Sequence, residues 1–364
     1  MLTSTSEGFR IEFIETQNNY KINPIGIISL KRAMLSFFST YEGIMRNGTI
    51  RDTDDNNNDQ YPSSYLEYYI DCIVFFQHFF ELTIKDLLAN DDELLITTYK
   101  NNNSIELIYD LIHDNVTNTD GINSVEFSDA LERIKKLVTK IYSDGSFDFI
   151  KEYYEDLKKL NSYRNKALHR GRFILKFEEL DRFIGGKIFP IIQDIFNHPY
   201  YKGLDKKWRY QSLHCCIDPF DEIIKECKEL EPNHKKIALL KELGRAAYMQ
   251  PSKNKGWWTY AEKQKKLIEQ KILATAQFET SMPKETLNHF MDTCPVCGET
   301  SIISFEDSHD DYDFDKKTGE HFISDHYEWV ASIKCVWCSY ELDCGYIGDI
   351  SEFGFTELYN YFRE

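Results

Sequence analysis

The chain has 364 residues, 42% of them apolar and 15% aromatic, which is enough for two or three domains with buried cores. Its 60 acidic against 43 basic side chains give a formal charge of −17, which argues against a general nucleic-acid coat protein and confines contact with a polyanion to a local basic patch. Residues 1–8 have neither a basic nor an apolar leader region, and the longest apolar cluster, 73–80, is interrupted by Gln77 and His78; a cytoplasmic protein with no membrane segment is expected.

In chain order, residues 9–14 read as a short strand or a helix lead-in. Helix-period segments then dominate as far as residue 197, over 25–46, 65–88, 125–142, 147–169 and 173–196. Polar breaks separate them. Residues 49–64 carry an Asp and Asn run ending in Pro62-Ser63-Ser64, and residues 101–118 enclose a shorter apolar run between Asn-rich flanks. An all-α bundle over 1–200 follows, with a more polar helical connector over 201–288 and a small β-rich module over 289–364.

The fourth helical segment ends in Arg164-Asn165-Lys166-Ala167-Leu168-His169, followed by Arg170-Gly171-Arg172. Gly171 stands where a helix C-cap is expected. Arg164, Lys166, Arg170 and Arg172 reverse the sign of an otherwise acidic chain. An Arg that never loses its charge, a His that exchanges a proton near neutral pH and an amide one turn before that His are what metal-free cleavage of RNA requires. On an α-helix Asn165 and His169 share a face, whereas Arg164 is about 140° round from His169, so the two converge through the long Arg side chain or across a subunit interface. The same spacing recurs in Arg209 to His214, without the Asn and with Cys215 and Cys216 following.

The segment resembles the HEPN superfamily of all-α RNases and nucleotide-binding domains, whose motif is an Arg followed by a polar residue and then a His. Upstream, Glu81 and Lys85, four apart within apolar residues 79–88, look like the earlier HEPN core helix, or are an ordinary i,i+4 pair. The resemblance covers roughly residues 20–200. It implies a fold that is mainly α, a HEPN-like helical bundle, and an endoribonuclease that needs no metal. Arg164, Asn165 and His169 would be catalytic, with Glu81, Lys85, Lys166, Arg170 and Arg172 in support. It also implies an RNA substrate, a homodimer with the motifs facing one another, and a place in a bacterial toxin or anti-phage defence system with an antitoxin or defence-system partner protein. The alternatives are a non-catalytic HEPN/zinc-ribbon module that binds nucleotides or proteins, and a nucleic-acid-binding regulator led by the ribbon.

Two later stretches, 201–210 and 253–266, combine cations with aromatics. That is the composition of a single-strand RNA contact or of solvated helices whose Trp residues pack on a core. Gly185-Gly186-Lys187 is too little for a phosphate-binding loop.

Cys294-Pro-Val-Cys297 and Cys335-Val-Trp-Cys338 are the strongest signal for a metal. Each Cys-x-x-Cys forms a knuckle with two thiolates on one side, and two knuckles joined by a β-hairpin complete a four-thiolate shell for structural Zn2+. Segments 301–305 and 328–333 alternate as strands do, and the arrangement resembles a zinc ribbon with a long insert between its knuckles. Four thiolates leave no open position, so no catalytic metal is expected. Cys72, Cys215, Cys216, Cys227 and Cys344 are read as core residues. Between the knuckles, the acidic run 307–315 fails as a calcium loop because Lys316 and Phe322 occupy the positions that need Gly and Glu; it reads as an acidic hairpin tip.

Overall fold

The computed structural model describes residues 2–4, 9–16, 20–45, 63–98, 109, 112–113, 123–140, 147–171, 173–250, 292–315, 320–343, 347–348 and 350–358. Arg172, Cys344, the basic-aromatic segment 253–266 and most of the two polar breaks lie outside these residues. The described chain is mainly helical, with a small antiparallel sheet towards the C-terminus. It divides into two compact units, residues 1–37 with 63–209, and residues 38–62 with 210–364.

The first unit opens with two short antiparallel pairs, β1 (Leu2–Ser4) with β2 (Phe9–Ile11) and β3 (Ile14–Glu15) with β4 (Lys21–Ile22). Helix α1 (Pro24–Met45) contributes its residues up to Phe37 here and its later ones to the second unit. Helix α2 (Ser63–Asp91) buries Tyr65, Tyr69, Ile73, Phe76, Phe80, Ile84 and Leu88 at steps of three or four, the stripe that makes a 29-residue helix a core element. Each such side chain removed from water is worth about 1.5–3 kcal/mol. Helices α3 (Phe127–Lys140) and α4 (Asp148–Asn165) pack on α2. Then come α5 (Phe177–Phe183) and α6 (Phe189–Asn197), whose Phe189 ring lies 5.1 Å from that of Phe37 and 6.3 Å from that of Phe76.

Two turns of π-helix, Lys166–Arg170 after α4 and Ile184–Ile188 between α5 and α6, interrupt this regularity. The second absorbs Gly185-Gly186-Lys187 into a helix with Gly185 buried, so these residues form no open loop. Trp208 and Tyr201 are buried, so the first basic-aromatic stretch uses its rings as core.

In the second unit, α7 (Pro219–Glu226) and α8 (His234–Met249) precede a four-stranded antiparallel sheet in the order β5 (Asp292–Thr293), β6 (Thr300–Asp315), β7 (Glu320–Cys335), β8 (Glu341–Asp343). Every residue of α8 from Ile237 to Ala247 is buried, charged ones included. Lys241 Nζ donates to Thr40 Oγ1 at 2.7 Å, and Gly244 lets the helix approach Phe38 so closely that a Cβ there would lie 2.6 Å from the ring. The stretch read as a polar connector thus supplies the central helix of this unit. The acidic residues expected at a hairpin tip run instead along strand β6.

Candidate functional site

Helix α4 exposes a polar face beside the buried Tyr154, Leu157 and Leu160. After Asn165 the ladder widens from α to π, and Gly171 ends it in the left-handed conformation, φ 56°, as a C-cap glycine does. The π turn follows directly on the α-helical turn that carries Arg164, and Arg164 and His169 meet within one chain. Arg164 Nη1 lies 3.2 Å from His169 Nε2 and 3.0 Å from Asn165 Oδ1. Of the two routes to convergence that the α-helical projection leaves, the contact takes the one through the long Arg side chain, within one chain.

Arginine only donates, so in this contact Nε2 of His169 is the acceptor. Nη1 uses both of its hydrogens on Asn165 and His169. Arg164 Nε, by contrast, is enclosed and has no hydrogen-bond partner among the described residues.

A cavity of about 480 Å³ runs between the start of α3 and the last turns of α4. Lys158, Asn161, Ser162, Asn165, Lys166 and His169 line its α4 side, and Asp129 and Glu132 lie on the α3 side. The Tyr154 hydroxyl donates to Glu132, and that bond holds the Glu132 carboxyl below its ordinary value while pushing Tyr154 up to about 12. Lys166 rests over the rings of Phe173 (4.9 Å) and Tyr163 (5.6 Å), leaving its ammonium at the cavity edge. Arg170 belongs to the π turn.

Glu81 and Lys85 do not line the cavity. They form an i,i+4 pair at 2.7 Å, and Glu81 also accepts from Gln77 at 3.0 Å. Burial alone would raise the Glu81 carboxyl, but these donors and the Lys85 and His78 charges hold it below its ordinary value. The two residues of the second Arg-to-His match fall in different units. Arg209 lies over the Trp208 ring at 5.6 Å in the first unit. His214, in the second, donates its backbone N–H to Val296 O at 3.1 Å, and its ring lies where a Cβ on Gly298 would fall, 2.8 Å from Nδ1.

The four knuckle cysteines come together. Their Sγ atoms all lie within 4.8 Å of one another, with Cys294 and Cys338 at 3.6 Å and Cys297 and Cys335 at 3.8 Å, and all four are buried. The two knuckles repeat one geometry. Gly298 N donates to Cys294 O at 2.9 Å and Ser339 N to Cys335 O at 3.1 Å, each from a residue at positive φ, 73° and 61°. Val296 N and Cys338 N point at Cys294 Sγ and Cys335 Sγ, both at 3.4 Å. A cluster of four buried thiols with backbone donors on the sulfurs suits a metal ion.

Sequence reasoning missed the support of the second knuckle. Arg245 and Glu242 of α8 form a buried two-bond pair, 2.6 and 2.7 Å, in which Glu242 Oε1 also accepts Glu341 N at 2.7 Å. Arg245 reaches Ser339, at Oγ (3.2 Å) and at the carbonyl oxygen. The i,i+3 spacing was visible, but its partners lie almost 100 residues away. Among the other cysteines, Cys72 and Cys215 are buried and Cys227 is partly so. Cys216, at φ 63°, is exposed, contrary to its reading as core. Comparisons with family models, with curated proteins and with solved structures return no match.

Proposed function

We propose that the chain is a metal-independent endoribonuclease of the HEPN type, with Arg164, Asn165 and His169 as its catalytic residues. The observation that carries this reading is the contact of Arg164 with both Asn165 and His169 at the end of a groove that also holds Lys158 and Lys166. In such a cleavage the 2′-oxygen of the RNA attacks the adjacent phosphorus and the phosphorus–O5′ bond breaks. One proton leaves the 2′-hydroxyl and one reaches O5′, giving a 2′,3′-cyclic phosphate and a 5′-hydroxyl. His169 Nε2 takes the first proton, and Arg164 neutralises the charge that builds on the phosphorane. The resting contact supplies an order of events. While Arg164 donates to Nε2 that lone pair is occupied; a guanidinium that turns to a phosphate frees it as substrate arrives. The enclosed Nε favours the turn, because a buried donor left unpaired costs about 1–3 kcal/mol.

Lys158 and Lys166 would follow the phosphate backbone. Zn2+ would be the ion of the four-cysteine cluster: zinc at about 2.3 Å from four thiolates separates the sulfurs by about 3.8 Å, close to the 3.6 and 3.8 Å found. Its role is structural. The homodimer, and membership of a toxin or anti-phage defence system with a neutralising partner, rest on the resemblance alone, since one chain already joins its own Arg and His.

The alternative, a HEPN/zinc-ribbon module that binds without cutting, draws support from Asp129 and Glu132, two carboxylates in the groove that oppose a phosphate. Incubation of the full chain with RNA in EDTA separates the two. Cleavage leaving cyclic phosphate ends is expected, lost in Arg164→Ala and His169→Ala and kept in Arg209→Ala and His214→Ala. Cutting that requires added Mg²⁺ and leaves 3′-hydroxyl ends would overturn the mechanism; RNA binding with no cutting would favour the alternative.

A further inference from the structure

Strands β6 and β7 continue far beyond the sheet at the cysteine cluster. β5 pairs with β6 only at Thr300 and Ile302, and β8 pairs with β7 only from Ser332 to Lys334. From the pair Glu306 and Val330 to the pair Asp315 and Glu320 the two strands have only each other, and no third strand among the described residues joins either outer edge. At about 3.3 Å per residue the arm is roughly 30 Å long.

Its side chains are not those of a solvated arm. Tyr312, Phe314, Phe322, Ile323, Tyr327 and Trp329 are 43–65% exposed. Tyr312 stands opposite Ile323, and Phe314 opposite His321 with the rings 5.1 Å apart, so one apolar patch covers the far end of the arm. A two-stranded ribbon with neither face covered is marginal in water, and a patch beside open edges marks a surface that another chain covers. The charge selects the occupant. Residues 306–330 hold nine carboxylates against two lysines, which repels RNA and also a second acidic arm laid against the first. His326 between Asp310 and Glu328 (3.1 Å to Glu328), and His309 at 3.2 Å from Asp311, leave the arm without a strong cation of its own among the described residues.

We propose that this arm docks a second, different protein through an extended segment in which lysines or arginines alternate with apolar residues. The segment adds as a strand to an open edge, its apolar side chains on the aromatic patch and its cations on the carboxylates. This docking does not depend on whether the chain cuts RNA.

A fluorescent peptide of alternating Lys and Val tests it, with an alternating Glu and Val peptide as control. Anisotropy is measured on the intact chain, on Tyr312→Ser/Ile323→Ser, and on a short-arm chain in which Asn-Gly replaces residues 307–329, joining the paired Glu306 and Val330 by a two-residue turn. The intact chain should bind the basic peptide at least tenfold more tightly than either variant and leave the acidic peptide unbound. Equal affinity in the intact and double-substituted chains would reduce the attraction to charge alone and overturn the proposal. So would light scattering that finds an intact-chain dimer made monomeric by shortening the arm, since the occupant would then be a second copy. Should the short-arm chain not fold, the double variant still decides.

Discussion

Arg164 Nη1 lies 3.2 Å from His169 Nε2 across five residues of one helix, which passes into a π turn at Lys166. The same nitrogen holds Asn165 Oδ1 at 3.0 Å, so one guanidinium nitrogen positions both neighbours. π turns are rare and cluster at functional sites.

That geometry makes Arg164→Lys a sharper test than Arg164→Ala. Lysine keeps the charge but loses the planar fork, so RNA cleavage by the full chain should fall about 10²-fold or more in kcat. Near-wild-type turnover in Arg164→Lys would mean that charge alone suffices and that the contact with His169 plays no part.

Removal of the metal should act on the second unit. Metal analysis of chain purified without chelator should find one tightly held zinc, and Cys294→Ser or Cys338→Ser should remove it together with the near-UV dichroism of that unit. Metal binding supplies much of the folding free energy of such modules. Full near-UV signal in a metal-free Cys294→Ser chain would count against the assignment.

Arg245→Met should destabilise the second unit by about 3–5 kcal/mol in urea unfolding, because it leaves the Glu242 carboxylate buried without its cation. Glu242→Leu with Arg245→Met should recover only part of this, since Glu341 N and Ser339 O lose their side-chain partners as well. Full recovery in the double variant would show that the pair does not hold the knuckle.

Asp86 gives the first unit a pH dependence. Burial pushes its carboxyl up to about 7, against the bond it accepts from Asn23 N at 2.8 Å. A raised folded-state pKa means that the folded chain binds the extra proton, so this contribution is fully present below about pH 4 and is lost as pH rises through about 7. Asp86→Asn keeps an acceptor without the charge. Its stability relative to wild type should therefore increase between about pH 4 and pH 8, by up to a few kcal/mol, since each tenfold difference in proton affinity between the folded and unfolded chain is worth about 1.4 kcal/mol. A difference that stays flat across that range in chemical unfolding would refute a buried, titrating Asp86.

Much of the architecture was legible in the residues alone. The apolar stripe of α2, the C-cap at Gly171 and the two Cys-x-x-Cys knuckles are local signals, because helix period, left-handed glycine and knuckle spacing depend on neighbours a few residues apart. The helix limits expected over 147–169 and 173–196 accordingly fall close to those found. What only the tertiary structure decided depends on distant partners. The π turn over Lys166–Arg170 departs from the α-helical period on which a sequence projection rests. Burial of Lys241, Glu242 and Arg245 in the centre of α8 was illegible because a charge can be buried only where its partner is, and Thr40, Ser339 and Glu341 are supplied by remote parts of the chain. The reach of β6 and β7 past their neighbours was hidden likewise, since alternation marks a strand but not whether a third strand will stand beside it.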